Sequence, residues 1–348
     1  MSSEVAEVAD DIDRLITLDM NRRGVIRILY DAAREKTGKP LVFAAADMIA
    51  KAVTPGSVVL VATGWPDRPW ITPSIGELDG PPGAALLARS MHDALGAVPV
   101  FLVEEQLVPA MRATARAAGF AVLNTDEAIA AASSPAPLHA ASVIGFPTTA
   151  SEAVTRSERL LSDLDPKAVV AVEKGSANEK GVIHNARGMD TTSTMAKVDE
   201  LVNSATAADI PTLGIGDGGN EVGMGLISDV IRRHIKYGDV CACPCGAGIA
   251  PHIGTDLLVT STVSNWGAYG TAACLSVLTC DPDVLHTPTT ELRTLREAAD
   301  AGLIDGNTGY VTPGADGLSA STHAAMITIL RQIVTNSLSP KGLATQKR

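Results

Sequence analysis

The chain has 348 residues, 46% of them hydrophobic, and its 39 Asp plus Glu outnumber 28 Lys plus Arg for a formal net charge of −11. That length is ample for a full core and gives a soft prior of about two domains, although large α/β sheets take this many residues as one. The acidic balance argues against nonspecific nucleic-acid binding and against anionic membrane surfaces, and favours a small-molecule partner.

The N-terminal stretch MSSEVAEVADDIDR lacks the basic and apolar regions of a signal peptide, and no apolar run is long enough to span a bilayer, so a cytoplasmic protein is expected. Short apolar, β-rich runs then alternate with helical ones. Strands are predicted at 58–63 (VVLVAT), 99–103, 168–173 (AVVAVE), 212–217 (TLGIGD) and 256–261 (DLLVTS), with weaker candidates at 120–124 and 141–146. Helical spacing appears at 82–96, 107–119, 195–209 and 290–302. Continuous apolar strands separated by helices predict an α/β fold, three-layer α/β/α with a mostly parallel central sheet, as a single domain over residues 1–348. Residues 133–140 form a loop and a candidate subdomain boundary, and residues 341–348 are expected to be a flexible tail.

Polar residues gather where these strands end. The first strand stops at Thr63-Gly64, the third at Glu173, and the fourth at Asp217, while Ser264 to Gly270 (SNWGAYG) follows the last. Ligands of open parallel sheets bind beyond the carboxyl ends of the strands, so one cleft is predicted to collect all four segments. Residues 214–225, GIGDGGNEVGMG, pack six glycines, two acids and an asparagine into twelve positions ahead of a helical run at 226–238. There Asp217, Asn220 and Glu221 offer oxygen ligands, a general base or amide donors. Glu77 and Asp79 precede Pro81 and Pro82, and Asp79 reads equally as a cleft residue or as the cap of the following helix. Lys174, Asn178, Lys180, His184, Asn185 and Arg187 make a polar run after a strand end, although each alone also fits a solvated loop. Asn265 is either a hydrogen-bonding cleft residue or the cap of a helix beginning near Ala268, and Trp266 either an apolar wall or core.

Two further patterns compete for attention. Gly214, Gly216 and Gly219 satisfy G-x-G-x-x-G, which keeps a dinucleotide- or metabolite-binding Rossmann-like protein as the alternative, but Asp217 and Glu221 put negative charge where a pyrophosphate would sit. Cys241, Cys243 and Cys245 form CACPC with His252 seven residues on. A structural thiol role is favoured there over a metal site, because the two-residue gap of zinc knuckles is missing and strand alternation would turn Cys243 away from its neighbours.

The stretches 62–66 (ATGWP), 77–84 (ELDGPPGA), 172–190 (VEKGSANEKGVIHNARGMD), 214–225 and 264–270, with the late IDG and ADG around Asp305 and Asp316, resemble the bacterial and mitochondrial D-glutamate cyclase family in its conserved C-terminal domain. The resemblance covers roughly residues 10–335 and is far more specific than any one glycine pattern. It implies an α/β lyase that interconverts D-glutamate and 5-oxo-D-proline plus water, or handles a closely related small acid, assisted by a divalent metal such as Mn²⁺ or Mg²⁺. The mitochondrial member carries an additional N-terminal domain that 348 residues leave no room for, and CACPCGAG stands outside the pattern. Under that resemblance, Asp217 or Glu221 would accept the ammonium proton. A cation on Glu173 and Asp217, or the amides of Gly218 and Gly219, would stabilise the oxyanion. Lys174 and Arg187 would hold the substrate α-carboxylate, His184 would shuttle protons, and Asp79, Asn185, Asn220 and Asn265 would complete the pocket. The expected partner is an acidic amino acid or its lactam, and self-association into a homo-oligomer stays open.

Overall fold

The computed structural model describes residues 3–339; the tail expected at 341–348 lies outside them. Three helices come first: α1 (Ser3–Ile16), α2 (Ile26–Thr37) and α3 (Leu41–Ala52). Strands and helices then alternate through β1 (Val58–Thr63), α4 (Pro81–Leu95), β2 (Val98–Val103), α5 (Val108–Ala118), β3 (Ala121–Leu123), α6 (Thr125–Ala131), β4 (Ala140–Gly145) and α7 (Ala150–Leu164). The second half runs β5 (Ala168–Val172), α8 (Val198–Ala207), β6 (Thr212–Gly216), α9 (Ser228–His234), β7 (Leu257–Thr260), α10 (Ser264–Thr279), α11 (Pro288–Asp300) and α12 (Ala320–Ser337). No helix among the described residues is long and apolar enough to cross a membrane.

The seven strands form one parallel sheet in the order β3-β4-β2-β1-β5-β6-β7. Strand alternation sorts its side chains into two layers. Val59, Val61, Phe101, Val103, Val170 and Val172 join α1 to α5 and α9 to α12 in the larger core. Val58, Leu60, Ala62, Val100, Leu102, Val169 and Ala171 join α6, α7 and α8 in the smaller one. This is the three-layer α/β/α arrangement, and covering both faces explains why the strands read as unbroken apolar runs. The loop at 133–139 joins α6 to β4, and α6 packs directly against that strand.

From β1 the chain moves to one side of the sheet, to β2, then to β3 at the edge and back to β4 between them, before crossing to β5 on the other side of β1. The crevice beyond the carboxyl ends of β1 and β5 is therefore the topological switch point, where such sheets bind ligands.

Two local expectations are corrected. The helix placed near Ala268 begins at Ser264, which puts Asn265 and Trp266 in its first turn. Residues 241–248 are turns rather than a strand, so the alternation that would turn Cys243 away does not operate, and the three sulfurs converge.

Candidate active site

The site is scaffolded by an exchange of caps between α4 and α10. Pro81 and Pro82 have no N–H to offer at the start of α4, so the donors left there are those of Gly80 and Gly83. Both donate to Asn265 Oδ1 of α10, at 3.1 and 2.7 Å, while Asn265 Nδ2 donates to the Leu78 carbonyl at 2.9 Å. In return the Asp79 carboxylate accepts the first amides of α10, from Ser264 and Asn265, both at 2.8 Å. Asp79 thus caps a helix, but α10 rather than the helix it precedes. Asn265 neither caps its own helix nor faces the Asp217 loop: its fully buried amide holds the Leu78–Gly83 turn in place. Trp266 is core, its Nε1 donating to His323 Nδ1 at 2.9 Å.

The loops after β5 and β6 are sewn together. Val222 N donates to the Lys174 carbonyl (2.7 Å) and Ser176 N to that of Asn220 (3.0 Å). Lys174 is fully buried and its Nζ donates to Glu104 Oε1 (2.5 Å) and the Gly64 carbonyl (2.7 Å), so it ties β1 and β2 ends to the β5 loop instead of facing a ligand. Glu221 is committed in the same way. One of its oxygens accepts the amides of Asp217 (3.1 Å) and Gly218 (2.6 Å), the other those of Gly219 and Asn220 (both 2.8 Å). Four N–H groups wrap one carboxylate, a backbone nest filled by its own chain. The Gly218 and Gly219 amides are therefore not free to meet an oxyanion, and Glu221 is bound up in forming the loop. A dinucleotide pyrophosphate finds no free amide among these four, which argues against a dinucleotide at this loop.

Within this frame opens a cavity of about 340 Å³ lined by Asp67, Glu77, Glu173, Asp217, Glu221 and Asp316, with Arg23 and Arg187 as its cationic lining residues. Asp79, Glu173 and Asp217 bring carboxylate oxygens within 4.8 Å of one another. Glu173, one residue past β5, holds φ at +46°, a left-handed conformation that a non-glycine residue adopts at a strain of about 1–3 kcal/mol. Its Oε2 accepts from Ser264 Oγ at 2.5 Å. Gly80 makes that placement feasible, since a Cβ there would sit 2.8 Å from Glu173 Cβ. Arg23 reaches in from the α1–α2 loop, its Nη1 donating to Asp217 (2.5 Å) and Asp316 (3.4 Å). The neighbouring Asp217 carboxylate holds the guanidinium above its usual range.

Negative charge in this cavity is under-compensated. Burial, reinforced by Asp217, pushes the Asp79 carboxyl up to about 8 against the pull of the Asn265, Ser264 and Gly80 amides. Burial and the charge of Asp79 raise Asp316 to about 7. Glu173 is pushed well above the carboxylate range by burial and then by Glu221 and Asp217, and Glu77 by burial and then by Asp67 and Asp316. Burial also raises Asp217 well above the carboxylate range, although Arg23 opposes it.

The structure thus brings Asp79, Glu173, Asp217, Glu221, Asn220, Asn185 and Arg187 to or just behind one cavity. It draws Lys174, His184 and Asn265 into the scaffold. His184 is fully buried outside the cavity lining, its Nε2 facing Cys243 Sγ at 3.2 Å, while its carbonyl accepts from Asn220 Nδ2 at 2.7 Å. Arg23 and Asp67 are lining residues with no counterpart among the sequence candidates, and Glu77 and Asp316 gain a place there. An open groove of about 710 Å³ beside α7, lined by Glu105, Gly145, Arg156 and Arg159 among others, gathers no comparable set of buried acids.

Fold and cleft together define a doubly wound α/β protein with an acid-lined crevice at its switch point. The chain belongs to the D-glutamate cyclase-like, C-terminal family, whose family model matches residues 12–331. A stretch of 111 residues, 32% of this chain, is 39% identical to the human (Homo sapiens) protein named D-glutamate cyclase, mitochondrial, and that match takes in 17% of the human protein's length.

Proposed function

We propose that this protein is a lyase that interconverts D-glutamate and 5-oxo-D-proline plus water, or acts on a closely related small acid, with Mn²⁺ or Mg²⁺ in the acid cavity. The observation that carries the reading is the convergence of Glu173 and Asp217, with Asp79 just behind them, at a cavity whose lining has six carboxylates and two guanidinium groups. An anionic substrate is repelled by that lining, and a divalent cation reverses the local sign. The donor set suits such an ion: hard carboxylate oxygens, under-compensated in charge and close enough to share one cation. Glu173 and Asp217 are its leading ligands, with Asp79 behind them. When bound, the ion supplies Lewis-acid polarisation of the substrate's γ-carboxyl group.

The residues around it supply the proton traffic. Cyclisation forms a bond between the amine nitrogen and the carbon of the γ-carboxyl group and breaks one of that carbon's carbon–oxygen bonds, and the two protons the ammonium loses leave on the departing oxygen as water. A lining carboxyl pushed up to about 7, as that of Asp316 is, suits both accepting and returning those protons. Arg23 and Arg187, both exposed at the rim of the cavity, would hold the substrate α-carboxylate.

The test is incubation of the metal-replete chain with D- and L-glutamate and with both 5-oxoprolines, read by chiral chromatography. Lactam formed from D-glutamate, or D-glutamate formed from the lactam, supports the reading. No turnover of any of the four, with Mn²⁺ or with Mg²⁺, overturns it.

A further inference from the structure

The four-residue cluster behind the cavity is chemically unlike the cavity itself. The backbone of residues 241–248 turns back on itself through Gly246 and Gly248, both at positive φ, and a Cβ on Gly248 would lie 2.0 Å from the Gly238 carbonyl oxygen. That fold brings Cys241 Sγ to 3.6 Å from Cys243 Sγ and 3.3 Å from Cys245 Sγ. His184 Nε2 lies 3.2 Å from Cys243 Sγ and 3.5 Å from Cys245 Sγ. All four ligand atoms fall within 4.8 Å of one another. A tetrahedral zinc with Zn–S of about 2.3 Å and Zn–N of about 2.0–2.1 Å requires S···S edges of about 3.8 Å and N···S edges of about 3.5 Å. The four edges given lie within about half an ångström of those values.

The surroundings fit a closed metal site better than a disulfide. Cys241 approaches both neighbours, so one bridge would strand the third sulfur and leave the buried His184 ring, whose Nδ1 has no partner among the described residues, facing thiols for no purpose. Asn178 Nδ2 donates to Cys245 Sγ at 3.5 Å and to the Gly248 carbonyl at 2.8 Å, a hydrogen-bonded outer layer of the kind that orients metal ligands. The fourth ligand comes from His184, while His252, seven residues beyond Cys245, is exposed.

We propose that His184, Cys241, Cys243 and Cys245 hold a zinc ion in a closed His–Cys₃ site whose role is structural. Four protein ligands leave no open coordination position, and soft thiolates separate this ion from the hard-oxygen site of the cavity. Binding releases the three thiol protons to solvent and changes no oxidation state. The site clamps the loop carrying the cavity residues Asn185 and Arg187 to the segment after α9. A second tie, from Ala242 N to the Gly188 carbonyl (2.9 Å), closes the other end of the same clamp.

Zinc content by elemental analysis of the full chain, purified without chelator, should be one equivalent. Cys243→Ser and His184→Ala should lower it at least tenfold, while His252→Ala should keep it. Replacement by Co²⁺ in the unaltered chain should give the intense visible bands of tetrahedral thiolate coordination, a readout that survives even if the variants fail to fold. Zinc below a tenth of an equivalent with no cobalt bands, a disulfide among the three cysteines by mass spectrometry, or full zinc in Cys243→Ser would each overturn the proposal. None of these readouts depends on lactam chemistry.

Discussion

Asp217 and Glu221 sit four residues apart in one glycine loop yet carry different burdens. Asp217 faces the cavity and pairs with Arg23, whereas Glu221 spends both oxygens on four backbone amides. Asp217→Asn should therefore lower turnover at least tenfold, about 1.4 kcal/mol in barrier, without lowering the melting temperature of the metal-free protein, because it removes a buried charge among like charges. A parallel measurement of rate and thermal unfolding checks both halves. Glu221→Gln should do the reverse in kind. An amide has one acceptor oxygen where the loop presents donors to two, and each buried N–H left unsatisfied costs about 1–3 kcal/mol, so unfolding in urea should show a loss of at least about 2 kcal/mol. A stable, inactive Glu221→Gln would instead assign it a chemical role.

At the scale of elements, the α4–α10 exchange of caps makes Gly83 a keystone, because its missing side chain is what lets Asn265 approach. A Cβ there would lie 2.7 Å from both Asn265 Cα and Oδ1. Gly83→Ala should destabilise by about 1–3 kcal/mol through overpacking and displace Glu173's neighbour Ser264, so calorimetry should show a lower melting temperature together with weakened Mn²⁺ binding. Much of this architecture is legible in sequence. The strands 58–63 and 168–173 are found within a residue because burial on both faces writes them as unbroken apolar runs, and their polar ends mark the cleft. Partnerships are less legible. That Asp79 caps α10, 185 residues on, or that Arg23 meets Asp217, 194 residues on, depends on the sheet order and not on any local pattern. The convergence of the three cysteines is hidden for the converse reason: their alternate spacing reads as a strand, but Gly246 and Gly248 at positive φ make the segment a turn.

For the molecule as a whole, the raised carboxyls set a pH dependence. Asp79 titrates at about 8 and Asp316 at about 7 in the folded state, each from an ordinary value of 3.8, so between about pH 4 and pH 8 the native state holds protons that the unfolded chain has released. Stability must then fall as pH rises across that window, and the penalty is complete above the folded values. In chelator the melting temperature should decline from about pH 5 to pH 8, and Mn²⁺ should restore it most strongly at the alkaline end. Thermal scans at fixed ionic strength with and without the ion check this, and a flat profile in chelator would show that the cavity charge is already balanced.

The loop closed by Glu221 has one more consequence. Cells are crowded with nucleotides and sugar phosphates, and a glycine-rich turn at the switch point of a parallel sheet is the kind of place such anions lodge. By filling its own nest with the Glu221 side chain, this loop leaves none of the amides from Asp217 to Asn220 free for such an anion. Under the proposed function, the neighbouring cavity would recognise its ligand through cations and carboxyl groups instead of through phosphate.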